Sequence, residues 1–348
     1  MAATRAPRRI GLCRLSWIKP PVAGPCRTIP TKKAVLTTSN VLCFRKQVKP
    51  AGVNKRLKVA VLGTGNIGTD LLIKILRSPV LECRLFAGRN LSSHGIMVAE
   101  ERNVPVSAES VESILELKDE ISLVFDATSA LDHMKHAPLL KEAGIAAVDL
   151  TPAKLGKMCV PAVNLEECLE FEDVNMVTCG GQASIPLAYA IAKANPGVEY
   201  IEEISSVASR SAGPATRINL DEYLETTEHA VCDFCQCDRS KAMVILNPAE
   251  PCIPMQTTVM AKIANPDLDE TRVKVAEMVD RIAEYVPGYR LVMEPFVENG
   301  RLVTMVRVEG LGDYLPKYAG NLDIINCAAL AFAEAKARLK LDGIHPAS

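Results

Sequence analysis

Two spacings of apolar residues alternate along residues 57–150. Short, mainly apolar runs predict buried strands, and stretches whose apolar residues recur every three to four positions predict helices. The runs predict strands at 57–62, 81–87, 122–126 and 146–150, and the stretches predict helices at 69–77, 94–102, 111–118 and one ending near 143. Because strands and helices alternate, we expect the α/β class, with a parallel sheet covered by helices on both faces.

The pattern changes after residue 179. Longer strand candidates lie at 200–209, 241–246, 257–263 and 301–309, and helix candidates lie at 220–229, 268–285 and 322–339. Long strands joined by few helices suggest a mixed or antiparallel sheet that can form a dimer face.

The change of pattern suggests a division into domains. A chain of 348 residues is long enough for two cores. We predict a leader at 1–55, a dinucleotide-binding domain at 56–178 joined by a helix at 320–341, and a catalytic and dimerisation domain at 179–319.

Charge is unevenly distributed along the chain. Residues 1–55 contain twelve Lys or Arg and no acidic residue, whereas the remainder contains 28 basic and 41 acidic residues. Such a leader is typical of organelle import signals, so we predict a mitochondrial transit peptide and a matrix location; without an import signal the protein would be cytoplasmic. The alternative is a basic tail that binds nucleic acid, but the acidic remainder argues against that partner. No apolar run approaches the roughly 20 residues of a membrane span.

A glycine-rich turn follows the first predicted strand and precedes a predicted helix. It consists of Gly63, Thr64, Gly65, Asn66, Ile67 and Gly68. In this context the first glycine permits a tight turn, the second lets backbone approach a pyrophosphate, and the third lets helix and strand touch. The helix start would point free N–H groups at the phosphates. We therefore predict a dinucleotide site rather than a purely structural turn.

The end of the second predicted strand bears on which dinucleotide is bound. NAD sites usually have an acidic residue there that bonds the ribose 2′-hydroxyl, but residues 86–90 contain no carboxylate. Asn90 can bond a hydroxyl, and Arg89 can pair with a 2′-phosphate. We predict NAD as the cofactor, with NADP use left open.

The thiol of Cys179 is the second candidate site. It follows a strand-like run at 174–178 and precedes two glycines, with Ser184 and Pro186 placed to start a helix. A helix start favours a thiolate, and the N–H groups of the two glycines can bind an oxyanion. The alternative is a buried structural cysteine. A cysteine that holds an acyl group beside a hydride acceptor can oxidise an aldehyde to a thioester.

The remaining cysteines point to no disulfide framework. The twelve cysteines of the chain lack the regular spacing of a stapled secreted protein, so we expect reduced and mostly buried thiols. His229, Cys232, Cys235 and Cys237 could together hold zinc. Structural zinc sites normally draw on two separated segments, so we predict a surface loop with incidental thiols and no metal.

Six stretches resemble those of one family. In order along the chain, residues 63–70, 124–129, 175–183, 211–214, 247–251 and 318–324 resemble the acylating acetaldehyde dehydrogenases that work with 4-hydroxy-2-oxovalerate aldolase in aromatic meta-cleavage pathways. The resemblance runs from about residue 57 to 340 and excludes the leader. It implies a fold like glyceraldehyde-3-phosphate dehydrogenase, with a Rossmann domain and an α+β domain that makes a homodimer, and it implies an aldolase partner.

The resemblance also implies roles for individual residues. Cys179 would be the nucleophile that passes an acyl group to coenzyme A, with a small aldehyde as the other substrate. Thr64 to Ile67 would cover the pyrophosphate. The pocket around the nicotinamide would be completed by Asn321 and by Ser211, Ala212, Gly213, Pro214, Ala215, Thr216, Arg217, Ile218 and Asn219.

The sequence departs from the family in three places. An acidic residue is common after the second strand, where this chain has Arg89 and Asn90. Relatives commonly have Arg-Asp-Thr-Val at the positions of residues 256–259, which read Gln-Thr-Thr-Val in this chain. Thr257 replaces the aspartate, so a base or orienting role of that aspartate is lost. A stretch before the last strand is short, and the segment 232–237 looks private to this chain. Two alternatives stay open: a semialdehyde dehydrogenase that uses an acyl phosphate, and a non-catalytic nucleotide-binding paralogue.

Overall fold

The first half of the chain forms a seven-stranded sheet. The computed structural model describes residues 55–341 and 343, so the predicted leader lies outside the described residues except for Lys55. The strands are β1 (Leu57–Leu62), β2 (Leu81–Ala87), β3 (Val106–Ser107), β4 (Leu123–Asp126), β5 (Ala146–Asp149), β6 (Lys157–Met158) and β7 (Asp173–Asn175). Their order is β3-β2-β1-β4-β5-β7-β6, and all neighbours pair in parallel.

Helices cover both faces of this sheet. They are α1 (Asn66–Arg77), α2 (His94–Glu100), α3 (Ser110–Leu115), α4 (Ala130–Glu142) and α5 (Pro161–Cys168). Alternate residues of β1 belong to different cores: Val59 and Val61 pack with Leu71 of α1, whereas Ala60 and Leu62 pack with Ile114 of α3. This arrangement confirms the predicted α/β class.

The second half forms a five-stranded mixed sheet. Its strands are β8 (Tyr200–Ala208), β9 (Arg239–Asn247), β10 (Met255–Lys262), β11 (Tyr289–Glu298) and β12 (Arg301–Val308), in the order β11-β12-β10-β8-β9. Only the β8–β9 pair among them is parallel. The helices of this half are α6 (Cys179–Ala194), α7 (Pro214–Ile218), α8 (Leu220–Cys235), α9 (Leu268–Ala283) and α10 (Gly320–Leu341), and a short 3₁₀ turn spans Ser209–Ser211.

One face of the mixed sheet is buried and the other is open. Residues of β8 alternate, with Ile201 and Val207 buried in a core shared with α6, α8 and α9. Residues on the opposite face are only half-buried, and Ile245 of β9 is 50% exposed. An open sheet face of this kind fits the predicted dimer contact.

The last helix returns to the first sheet, as the sequence predicts. Phe332 and Ile325 of α10 lie in the same core as Val59 of β1 and Leu71 of α1. The division into domains at 178/179 stays a prediction.

Some elements differ from the sequence prediction. β3 and β6 have two residues each, too few for a periodic pattern, and α5 was also missed. β11 was missed because it is an edge strand with Pro295 and exposed residues on both faces. Helix α8 continues past residue 229 to Cys235.

Candidate active site

The glycine-rich turn connects β1 to α1 and is closely packed at its two ends. Gly63 has φ of +111°, and a Cβ on it would lie 2.6 Å from the carbonyl oxygen of Ala127. A Cβ on Gly68 would overlap the carbonyl of Gly63. Only glycine fits at these two positions: both the conformation and the space exclude a side chain at Gly63, and the space excludes one at Gly68.

The middle of the turn is open. A Cβ on Gly65 would meet no atom of the described chain within 4 Å. Gly65 is the N-cap of α1, no side chain caps the helix start, and Asn66 is exposed. The first N–H groups of a helix have no partner within the helix, and a glycine at this point lets a ligand come close to the backbone. Together they form a cradle that fits the phosphates of a dinucleotide.

Thr64 is fixed by the neighbouring loop. Its hydroxyl accepts a hydrogen bond of 3.0 Å from Ser93, the N-cap of α2. Cβ atoms on Gly88 or Gly95 would collide with Thr64. These contacts set the wall of the turn that faces the end of β2.

The end of β2 carries no acidic residue. The side-chain oxygen of Asn90 accepts hydrogen bonds from the backbone N–H and the hydroxyl of Ser92, at 2.9 and 2.7 Å. Arg89 is exposed, with its guanidinium 3.5 Å from Asp132. The Asn90 oxygen is therefore occupied within its own turn, whereas the Arg89 side chain can reach a ligand.

The two predicted sites share one edge of the parallel sheet. The turn at Gly63 follows β1, and Cys179 follows β7, so both lie at the carboxyl ends of parallel strands. The chain order reverses between β1 and β4, where the N–H of Ala127 donates to Leu62. This switch point is where open α/β sheets bind ligands.

Part of the predicted nicotinamide pocket is brought together. The hydroxyl of Ser211 donates to the side-chain oxygen of Asn321 at 2.7 Å, and both residues are buried. Farther along α10, the amide of Asn326 donates to the carbonyl of Ile67 at 3.1 Å. Helix α10 thus contacts both the loop at 211–219 and the glycine-rich turn.

The loop at 211–219 is held mainly by Arg217. Its guanidinium donates to the carbonyl oxygens of Ala212 and Ser209, at 3.0 Å each. Ile218 points outward and is 79% exposed. The carbonyl of Asn219 accepts the N–H of Tyr223, while the side chains of Pro214 and Ala215 lie outside the described part.

Cys179 is the first residue of helix α6. Thr178 is the N-cap, and its hydroxyl accepts the N–H of Gly181 at 2.8 Å. The predicted start at Ser184 and Pro186 is therefore wrong, since both lie inside the helix. The Gly181 N–H is also occupied by this cap, which removes one of the two amides predicted to face an oxyanion.

A strained residue precedes the thiol. Val177 has φ of +59°, a left-handed conformation that is costly for a β-branched residue, and its N–H donates to the Asn175 side chain at 2.8 Å. Backbone strain of this kind costs about 1–3 kcal/mol and is found at functional sites. It turns the chain sharply between β7 and α6.

The thiol of Cys179 contacts Tyr223 of helix α8. The sulfur lies 3.6 Å from the phenol oxygen, and Tyr223 is buried. Burial raises the pKa of the Cys179 thiol to about 11, although the Tyr223 hydrogen bond and the adjacent backbone amides lower it. The protonated thiol is the stable form at neutral pH, so a proton acceptor is needed to generate the thiolate.

A buried carboxyl lies near the thiol, and the sequence analysis did not predict it. Glu203 of β8 is 1% exposed, and its Oε2 accepts from the Ser205 hydroxyl at 2.9 Å. The Ser205 oxygen is 2.9 Å from the hydroxyl of Thr257 on β10. Burial raises the pKa of Glu203 to about 8. An acidic residue at an inward position of an alternating strand is the signal that could have found it.

The cysteines at 232–237 do not form a surface loop, so that prediction is wrong. Cys232 and Cys235 lie in the last turns of α8, and Cys235 and Cys237 are buried. The prediction of a loop failed because helix α8, which was expected to end at residue 229, continues to Cys235. Among residues 55–341, no His, Cys, Asp or Glu cluster has the arrangement of a metal site.

No helix among the described residues has the length and apolarity to cross a membrane.

Solved structures with a similar fold are aspartate semialdehyde dehydrogenases. The one from Candida albicans, solved with NADP, matches with a TM-score of 0.59 and 14% identity over 84% of this chain and 100% of that chain. Aspartate semialdehyde dehydrogenase II from Vibrio cholerae matches with a TM-score of 0.56 and 14% identity over 82% and 99% of the two chains. At this identity the likeness concerns the fold alone, and it confirms the predicted fold class.

Family models and sequence relatives identify the family. Residues 58–170 match the semialdehyde dehydrogenase NAD binding domain, and 179–316 match the model described as prokaryotic acetaldehyde dehydrogenase, dimerisation. The acetaldehyde dehydrogenase of Spirochaeta aurantia is 56% identical over 284 residues, which is 82% of this chain and 96% of that protein. The one from Pectobacterium atrosepticum is 53% identical over 284 residues, 81% of this chain and 96% of that protein. The chain belongs to the acetaldehyde dehydrogenase family.

Membership in the acetaldehyde dehydrogenase family confirms the family and the class of enzyme that the sequence predicts, an NAD-dependent oxidoreductase acting on aldehydes. The match to a dimerisation model supports the predicted homodimer. Neither the non-catalytic paralogue nor the acyl-phosphate enzyme is favoured by relatives that share about half of their residues with this chain.

The relatives overturn the predicted location. The acetaldehyde dehydrogenases that match come from bacteria such as Spirochaeta aurantia and Burkholderia thailandensis, which have no mitochondria to import a protein. The predicted transit peptide and matrix location are therefore wrong. The prediction failed because a basic, acid-free composition is not specific to an import signal.

Proposed function

We propose that the protein oxidises acetaldehyde to acetyl-coenzyme A, through a thioester on Cys179 and with reduction of a nicotinamide dinucleotide. The observation that carries the proposal is the position of Cys179 at the start of α6, on the same sheet edge as the open turn at Gly65. An acyl-carrying thiol and a dinucleotide cradle on one edge are what this reaction needs.

The cradle residues hold the cofactor in this proposal. The turn Gly63, Thr64, Gly65, Asn66, Ile67 and Gly68 binds the pyrophosphate through the free N–H groups of α1. Ser211 and Asn321, which bond each other, lie beside the nicotinamide together with the rest of the loop at 211–219. When bound, the nicotinamide accepts a hydride.

Cys179 carries the substrate through each step. Its thiolate adds to the aldehyde carbon and forms a thiohemiacetal, and loss of hydride and a proton leaves a thioester on the sulfur. The thiol of coenzyme A then attacks the thioester carbon, which releases acetyl-coenzyme A and returns Cys179 to the thiol form. The N–H groups at the start of α6 that the Thr178 cap leaves unused stabilise the oxyanion of the tetrahedral adducts.

The cofactor specificity follows from Arg89. The end of β2 has no carboxylate that would repel a 2′-phosphate. The exposed guanidinium of Arg89 can pair with such a phosphate. We infer that the protein uses both NAD and NADP. The aldolase partner that the family resemblance implies stays a prediction, and co-purification with a 4-hydroxy-2-oxovalerate aldolase tests it.

The proposed activity is tested by absorbance at 340 nm. The full chain is mixed with acetaldehyde and NAD or NADP, with and without coenzyme A. We expect reduced cofactor to accumulate over many turnovers only when coenzyme A is present. A rate that does not depend on coenzyme A would contradict the acylating reaction.

A further inference from the structure

The side chain of Glu203 is buried beside the nucleophile with only part of its bonding capacity used. Its Oε2 accepts from Ser205, but its Oε1 has no hydrogen-bond partner among the described residues. No Lys, Arg or His of the described chain forms an ion pair with it. A buried carboxyl in this state is unusual, because burial without full pairing is costly.

Three oxygen atoms converge where Gly180 has no side chain. A Cβ on Gly180 would overlap the phenol oxygen of Tyr223 and would lie 3.2 Å from both the Glu203 Oε1 and the Ser205 Oγ. Tyr223 in turn lies 3.6 Å from the Cys179 sulfur. The hydroxyl of Tyr223 therefore contacts the thiol, and Glu203 Oε1 lies near the same point without a hydrogen bond to the phenol.

Thr257 connects the side chain of Glu203 to strand β10. Thr257 pairs with Ser205 across the β8–β10 ladder, and Ser205 bonds Glu203. A single serine thus joins the Glu203 carboxyl on β8 to the Thr257 hydroxyl on β10.

We propose that Glu203 is the proton acceptor for the Cys179 thiol, reached through the hydroxyl of Tyr223. The inference rests on the proposed thioester function. Tyr223 and Glu203 Oε1 form no hydrogen bond in the structure, so the step begins with a small side-chain rotation that brings them together. The S–H bond of Cys179 then breaks and its proton moves to the Tyr223 oxygen, while the phenol proton moves to Glu203 Oε1. One negative charge passes from the carboxylate to the sulfur, and no oxidant or reductant is required.

The surroundings of Glu203 favour such an exchange over two separate ionisations. The titratable groups that face it are Cys179 of α6 and Tyr223 of α8. Its ladder neighbours, Ala242 of β9 and Val259 of β10, are apolar. Two anions in this setting would repel each other, and the Glu203 carboxylate itself raises the pKa of Cys179. Moving one proton keeps a single buried charge.

The test uses Glu203→Gln, which keeps the shape and removes the acid. Alkylation of Cys179 by iodoacetamide is followed against pH, by mass spectrometry of the peptide that contains Cys179, in the full chain without substrates. Glu202→Gln is the matched control, because Glu202 is the next residue of β8 and faces the opposite side of the sheet. Tyr223→Phe keeps Glu203 and removes only the bridging hydroxyl.

We expect Glu203→Gln and Tyr223→Phe each to slow alkylation at pH 8 by about tenfold or more, and to reduce kcat/KM for acetaldehyde by about 100-fold, within the usual range for a proton acceptor. The Kd for NAD and the Glu202→Gln control should stay within threefold of the unchanged protein. Alkylation and kcat/KM of Glu203→Gln equal to those of the control would overturn the assignment. If the unchanged protein shows no coenzyme A-dependent rate, the proposed function fails, whereas the alkylation result still decides the proton acceptor.

Discussion

The phenol oxygen of Tyr223 lies 3.6 Å from the sulfur of Cys179, and this contact joins helix α8 to the first residue of helix α6. A second link supports it. The hydroxyl of Thr227 donates to the Tyr223 carbonyl at 2.7 Å and lies 2.7 Å from the hydroxyl of Thr178, the N-cap of α6. The nucleophile and its neighbour are therefore held by one hydrogen-bonded arrangement between the two helices.

Replacing the nucleophile separates catalysis from cofactor binding. Cys179→Ser should lower the rate of coenzyme A-dependent NADH formation by at least about 10³-fold, because a serine hydroxyl is a far weaker nucleophile without a dedicated base. The Kd for NAD, measured by calorimetry, should change by less than threefold. Retained activity would show that another group carries the acyl chain.

Two alanine substitutions in the glycine-rich turn should have opposite consequences. Gly65→Ala places a methyl group in open space before the start of α1, so we expect the KM for NAD to rise about tenfold, which corresponds to ~1.4 kcal/mol, with little change in Tm. Gly68→Ala drives a Cβ into the Gly63 carbonyl and should cost about 1–3 kcal/mol of stability. Both variants are measured by thermal unfolding and by steady-state kinetics, so that each variant is the control for the other.

Much of this turn could be predicted from the sequence, and less of the thiol site could be. The glycine spacing from Gly63 to Gly68 involves only residues close in sequence, so it can be recognised without the structure. The start of α6 was misplaced because Ser184 and Pro186 look like a helix start, whereas the actual cap, Thr178, is made possible by the left-handed Val177. That conformation depends on the Asn175 side chain and on tertiary packing, neither of which a periodicity shows.

The neighbours of Cys179 could not be predicted for a related reason. Tyr223 and Glu203 lie on α8 and β8, and only the packing of α6 on α8 and on the mixed sheet brings them beside the thiol. The connection of Thr257 to Glu203 through Ser205 is likewise visible only in the β8–β10 register.

The activity should depend on pH through Glu203. Burial raises the pKa of this carboxyl to about 8, so it is mostly protonated at neutral pH and cannot accept a proton. We expect kcat/KM for acetaldehyde to rise as pH increases through about 8, and Glu203→Gln to lack this rise. A pH profile of the same shape in both proteins would contradict the assignment.

The same raised pKa predicts an effect on stability. Unfolded glutamate has a pKa of about 4.3, so between that pH and about 8 the folded protein binds a proton that the unfolded chain has lost. The contribution of Glu203 to the free energy of unfolding therefore falls as pH rises through this window. At pH 8, Glu203→Gln should melt at a higher temperature than the unchanged protein, and a lower Tm would argue against a strained carboxyl.

Placing a carboxyl on β10 should compensate for removal of the one on β8. Adding Thr257→Asp to the Glu203→Gln variant should recover at least tenfold of the lost kcat/KM, because residue 257 reaches the same cluster through Ser205. Thr257→Asn is the isosteric control without an acid. Equal activity of the two double variants would show that the positions do not serve one role.

Arg89 should control the use of NADP. Arg89→Ala removes the guanidinium at the end of β2, so we expect the KM for NADP to rise about tenfold, or ~1.4 kcal/mol, while the KM for NAD changes by less than twofold. Lys135→Ala, a change of an exposed cation that also faces Asp132, is a suitable control. A parallel rise of both KM values would place Arg89 outside the 2′-phosphate site.

The measurement that tests the central claim most directly is detection of the acyl group on the enzyme. The full chain is incubated with acetaldehyde and NAD but without coenzyme A, quenched in acid and digested for mass spectrometry. We predict acetylation of Cys179 in the peptide that contains it, and its disappearance within seconds when coenzyme A is added before the quench. A protein that forms NADH under these conditions and carries no acetyl group on Cys179 would contradict the account.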